Sequence, residues 1–79
     1  MHYVYILVSQ RDASKYISLT QDLKKRLREH NQGETKSNKN KAPYKIAWYC
    51  GFADKYKACA FEKYLKSSSG YAFTSKHLV

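Results

Sequence analysis

Lys15–Asn31, KYISLTQDLKKRLREHN, is the stretch on which the fold turns. Its first five residues, Lys15–Leu19, read as a strand, with Tyr16 and Ser18 on one face and Ile17 and Leu19 on the other. Thr20 is a candidate N-cap, and Asp22 suits the positive end of a helix dipole. A helix over about Gln21–Asn31 follows, with Gly33 as a fitting stop. Its apolar positions repeat at Leu23 and Leu27. At ~100° per residue, Arg26 and His30 fall on that same stripe. A core-facing stripe thus carries a cation and an imidazole. An unpaired buried charge is costly, so Arg26 either serves a site or reaches round the helix edge to water, its stem covering apolar surface.

Upstream of this stretch, His2–Ser9 alternates Tyr3, Tyr5 and Leu7 with Val4, Ile6 and Val8. Both faces are apolar, as in a strand in the middle of a sheet. Gln10–Ser14 is short and polar and fits a hairpin connection, which makes the second strand antiparallel to the first. Downstream, Glu34–Pro43 reads as a polar, basic loop. Tyr44–Gly51 reads as a third strand, and Asp54 as the cap of a second helix over about Lys55–Ser67. That helix has an apolar stripe of Ala58, Phe61 and Leu65, with Glu62 inside it. Ser67–Gly70 reads as a break, and the tail from Tyr71 is too short to assign. The pattern is an α+β domain: a three-stranded sheet, antiparallel or mixed, flanked by helices, with residues 1–79 as one domain.

The 79 residues include eight Tyr, three Phe and one Trp, and the formal net charge is +9. Such an excess points to a polyanion, most often nucleic acid, or to an anionic membrane surface. No apolar run approaches the ~18 residues of a membrane span, and Met1–Val8 lacks the layout of a signal peptide. The expected compartment is cytoplasmic. Cys50 and Cys59 are the only cysteines and form no CxxC pair, so both read as small hydrophobes.

The polar groups that break the apolar pattern are Tyr5 and Tyr16 on neighbouring strands, Arg26 and His30 on the first helix, and Glu62 on the second. Together they suit phosphodiester chemistry. Glu62 can hold a single Mg²⁺ or Mn²⁺, since Mg²⁺ keeps most of its waters. Arg26 can neutralise charge on a phosphoryl group through its planar fork. A tyrosine beside an arginine and a metal can orient or deprotonate a water. His30 can accept a proton or hold Tyr5 in place. Lys24, Lys25 and Arg28 on the first helix are candidate contacts to a phosphate backbone. Lys36, Lys39 and Lys41, interleaved with Ser37, Asn38 and Asn40, form either a solvated loop or a basic arm on that backbone.

The order Tyr3-Val4-Tyr5, then Tyr16-Ile17-Ser18, then Asp22-Leu23-Lys24-Lys25-Arg26-Leu27 with His30-Asn31, then Glu62-Lys63-Tyr64-Leu65-Lys66 resembles the GIY-YIG nuclease superfamily, in particular its small stand-alone bacterial members. The resemblance covers nearly the whole chain. It implies a three-stranded antiparallel sheet flanked by helices, and Mg²⁺-dependent hydrolysis of DNA at a single metal. By that resemblance Tyr5 and Tyr16 are the motif tyrosines, one of them acting as or positioning the general base. Arg26 is the transition-state arginine, His30 the helix histidine and Glu62 the metal ligand.

Two departures stand out. Ser18 occupies the place of the motif glycine, and the tail after Tyr71 has no asparagine. Ser18 is the motive for a second reading, a nucleic-acid binder with the nuclease fold and weakened catalysis. A third is a small interaction module whose charge serves solubility. No zinc pattern or helix-turn-helix is present to read a DNA sequence. A partner protein or a homodimer would have to supply specificity.

Overall fold

A strand with apolar side chains on both faces needs a neighbour on each edge and a layer on each side. In the computed structural model, which describes residues 1–32 and 43–78, His2–Ser9 (β1) is that central strand. Lys15–Thr20 (β2) pairs antiparallel on one edge and Tyr44–Phe52 (β3) antiparallel on the other, giving the order β2-β1-β3. The helices are Leu23–Asn31 (α1), Lys55–Lys66 (α2) and Ser68–Phe73 (α3), followed by a π-type turn over Thr74–Leu78. The sheet is therefore purely antiparallel, and no described helix is long and apolar enough to cross a membrane.

The two faces of β1 bury different layers. Val4 and Ile6 pack with Ala58 and Leu65 of α2, joined by Ile17, Leu19, Trp48, Phe52 and Phe61. Tyr5 and Leu7 pack with Tyr44, Tyr16 and Ile46 beneath Leu23 and Leu27 of α1. Strict alternation along β3 would put Tyr44, Ile46 and Trp48 on one face. A bulge intervenes, since Ile6 pairs with Trp48 but Leu7 with Ile46. One extra residue turns Tyr44 and Ile46 to the α1 face and leaves Trp48 and Phe52 on the α2 face.

The caps differ from the sequence reading in two places. Asp22, not Thr20, caps α1, its Oδ1 accepting from Lys25 N at 3.1 Å; Thr20 Oγ1 instead accepts from Asp22 N at 3.1 Å and shapes the turn before it. Ser67 ends α2 and at once caps α3, accepting from Gly70 N at 3.1 Å, so the expected break is a junction of two helices. Asp54 caps α2 as expected, accepting from Tyr56 N at 2.8 Å. In the β1–β2 hairpin Ser9 binds the turn through both backbone and hydroxyl, and Ala13 adopts a left-handed φ of 60°.

Candidate active site

Tyr5 lies midway along the central strand and faces α1. Its register partner on β2 is Ser18, and Tyr16 lies two residues along β2 on the same face, opposite Leu7. Periodicity brings α1 over this face. Arg26 and His30 are four residues apart, so both point at the sheet on successive turns. The end of α1 is anchored by Asn31, whose side-chain amide donates to Tyr44 O and accepts from Tyr44 N, tying the helix to the start of β3.

These constraints fix a small aromatic–basic cluster. The His30 ring is wholly buried and meets three phenol rings edge-on: Tyr16 at 4.8 Å, Tyr44 at 5.8 Å and Tyr5 at 6.3 Å between centroids. Its Nε2 lies 3.3 Å from the Tyr5 hydroxyl. The Arg26 guanidinium interacts electrostatically with the same hydroxyl and pairs with Glu29 Oε1 at 3.2 Å. About a third of the Arg26 side chain is exposed. It opens into a cleft of about 440 Å³ that is also lined by Thr20, Lys25 and Glu29.

Burial raises the pKa of Tyr5, while Arg26 and Ser18 pull it back in part. The Arg26 pKa is raised, first by Tyr5. Tyr5 is therefore a neutral phenol at pH 7, held between an imidazole and a guanidinium. With 1 % of its surface exposed it positions other groups more readily than it touches a substrate. The His30 ring is equally buried and lies against the Tyr5 hydroxyl. Tyr16 is half-buried and Arg26 reaches solvent, so these two are the members of the cluster open to a ligand.

Four of the five expected side chains therefore converge; Glu62 does not join them. It sits on α2, which packs on the opposite face of the sheet, and its Oε2 pairs with Lys66 Nζ at 3.4 Å. Its place around the helix is still informative. Ala58 and Leu65 mark the line facing the sheet, and Phe61 lies to one side of it against Trp48 and Phe52 of β3. Glu62, ~100° further round, lies on the other side, toward edge strand β2. Among the described residues no three His, Cys, Asp or Glu side chains gather as a metal centre. An ion here would have one protein carboxylate and otherwise water or phosphate oxygens, a set that suits Mg²⁺.

Lys24, Lys25 and Arg28 are exposed along α1. Lys36, Lys39 and Lys41 lie outside the described residues. Two contributors were not singled out in the sequence: Ser18 as a partner of Tyr5, and Tyr44 as a wall of the His30 pocket. Strand pairing would have signalled Ser18, the register partner of Tyr5, which helps to hold the phenol's pKa down. The bulge in β3 hides Tyr44 from any count of alternation.

Comparison with known proteins agrees with this arrangement. The family model for the GIY-YIG catalytic domain matches residues 1–75. A UPF0213 protein of Streptococcus pneumoniae is 40% identical over 65 residues, covering 81% of this chain and 65% of its own length. One from Clostridium perfringens is 37% identical over 67 residues, covering 84% and 71%. The chain thus spans just under two thirds of the first relative and somewhat more of the second. The solution structure of a UPF0213 protein from Bacillus halodurans superposes with a TM-score of 0.57 at 28% identity, covering 98% of this chain and 85% of the other. The match over residues 1–75, on a sheet that sets the two motif tyrosines beside the helix arginine and histidine, shows that the chain belongs to the GIY-YIG catalytic-domain family, whose members are generally endonucleases.

Proposed function

We propose that the chain hydrolyses DNA phosphodiester bonds with the help of one divalent ion, magnesium or manganese. The observation that carries this reading is the Tyr5 hydroxyl held between His30 Nε2 and the Arg26 guanidinium, with the guanidinium open to a cleft. Arg26 binds the non-bridging oxygens of the phosphate and stabilises the charge that grows there. Tyr16, half-buried against His30, orients the attacking water. Tyr5 and His30 keep the guanidinium and the Tyr16 ring in place. Lys24, Lys25 and Arg28 hold the flanking backbone phosphates.

Glu62 would hold the ion, which supplies charge neutralisation and a more acidic water. The carboxylate and the phenol–guanidinium cluster lie on opposite faces of the sheet, so this reading requires a phosphodiester that passes round edge strand β2 to meet both. Ser18, which replaces the motif glycine, is itself a small residue, lies opposite Tyr5 and helps to hold the phenol's pKa down. That speaks for the catalytic reading over a weakened binder.

Nicking of supercoiled plasmid in Mg²⁺ tests the proposal. The parent should nick, and Arg26→Ala and Glu62→Ala should each be slower by about 100-fold or more. Equal nicking by all three proteins would remove the proposal.

A further inference from the structure

A second cleft lies on the α1 face, toward β3. It holds about 410 Å³, and its walls are mostly apolar: Tyr3, Leu23, Ile46 and Tyr49, with Lys24 and Asp22 at the mouth. Tyr49 is the register partner of Tyr5 on β3 and is 56% exposed. The Tyr3 and Tyr49 rings meet edge-on, with centroids 6.1 Å apart and an interplanar angle of 66°. Tyr3 is laid over Gly51, its own register partner. A Cβ at Gly51 would lie 3.1 Å from Tyr3 Cε1 and 2.5 Å from Met1 Sδ, so the glycine lets the ring lie close to the strand. The result is an aromatic corner held in shape, beside the buried Tyr5. Asp22 and Gln21 line both this cleft and the one containing Arg26, so the two adjoin at the start of α1.

An exposed phenol over an apolar floor, next to a phosphate-binding arginine in a chain of net charge +9, suits one ligand group above others. We infer that the Tyr3–Tyr49 cleft takes an unpaired nucleobase of the DNA strand whose phosphate lies at Arg26. Bases stack on aromatic rings whatever their identity, because each has a π face. A cleft of this size, at the low end of the ~300–1,000 Å³ of small-molecule sites, accommodates a base and its sugar. Lys24 at the mouth faces the backbone. Asp22 is engaged at the helix start, where its Oδ1 accepts from Lys25 N. The inference rests on the nucleic-acid reading above and adds a substrate class to it: DNA with an unpaired base at the cleavage point, rather than uninterrupted duplex.

The test uses the whole chain, without divalent metal, and two DNA hairpins whose stems are closed by the same non-nucleotide ethylene-glycol linker. One carries a single unpaired 2-aminopurine, and the other is fully paired. The parent should bind the first more tightly and quench its fluorescence by stacking. Tyr49→Ala should lose about 5- to 100-fold in affinity for that hairpin. It should keep its affinity for the paired hairpin and an unchanged salt dependence, since no phosphate contact is removed. Tyr49→Phe should retain quenching. Tyr56→Ala, which removes an 83% exposed tyrosine on α2, should match the parent. Circular dichroism of each variant confirms the fold. If Tyr49→Ala quenches and binds like the parent, or weakens both hairpins equally, the cleft does not hold a base. If the parent binds neither hairpin, this inference falls together with the nucleic-acid reading. Intact stacking in a protein that does not nick plasmid would count against catalysis alone and leave the base site standing.

Discussion

The two faces of the sheet are built from the same three strands and differ in almost every other respect. Beneath α2 the contacts are apolar: Val4, Ile6, Ala58 and Leu65, with Phe61 set against Trp48 at 5.8 Å and Phe52 at 5.6 Å. Beneath α1 the layer mixes Leu7, Leu23, Leu27 and Ile46 with the buried Tyr5 and Tyr44 phenols and the His30 imidazole, bridged by the Tyr5–His30 contact, edged by half-buried Tyr16 and fringed by Arg26. One face gains its free energy from surface removed from water, a non-directional term. The other needs each polar group to meet a partner, because an orphaned one is expensive. The apolar α2 face thus carries most of the hydrophobic stabilisation and the α1 face the phenol–guanidinium cluster, with Glu62 the one candidate site residue that stands on α2.

The largest stability change should follow from the apolar side. Leu65→Ala removes a wholly buried side chain from the middle of the α2 face and should cost about 2–5 kcal/mol in thermal or urea unfolding. A loss below about 1 kcal/mol would show that the face collapses around the gap. Tyr5→Phe on the polar side keeps the ring but removes one hydroxyl contact from His30 and from Arg26, and should cost about 1–3 kcal/mol.

The same substitution should change the alkaline limb of stability. Burial raises the pKa of Tyr5 above its ordinary 10.0, and that of Tyr44 likewise. The native state then holds protons that the unfolded state has released, so stability falls as pH rises. The contribution is complete below pH ~10 and is lost through the raised native values. In Tyr5→Phe the fall above pH 10 should be shallower than in the parent, because one of the two raised phenols has been removed. Identical limbs would assign the alkaline loss elsewhere.

The smallest effect lies outside both faces. Ala13 holds a φ of 60° in the β1–β2 turn. Ala13→Gly should change stability by no more than about 1 kcal/mol, in the stabilising direction, since glycine adopts that region without strain. It should leave nicking untouched.

The strands, the helix order and the tyrosine–arginine–histidine cluster were legible because each rests on a local period. β1 alternates, and Arg26 and His30 recur at helical spacing, so the strand and the helix stripe give the side-chain directions before any contact is known. What escaped the sequence depends on events with no period. The bulge in β3 reverses the face of Tyr44 and Ile46. The cap of α1 moved from Thr20 to Asp22 because Thr20 is used in the preceding turn. Glu62 was rightly seen inside an apolar stripe, but the stripe alone does not say which face of the sheet α2 covers. That choice is made by Ala58 and Leu65 fitting Val4 and Ile6.

The most direct measurement takes the melting temperature and the Mg²⁺-dependent plasmid nicking rate of Arg26→Ala and Leu65→Ala side by side, each assayed well below its own melting point. Arg26 is a third exposed and ends at the cleft. Its loss should leave melting within a few degrees of the parent and slow nicking by about 100-fold or more. Leu65→Ala should do the reverse, melting far lower while nicking at close to the parental rate. If Arg26→Ala nicks as the parent does, or the two variants lose stability and nicking in the same proportion, the division of labour between the two faces is wrong.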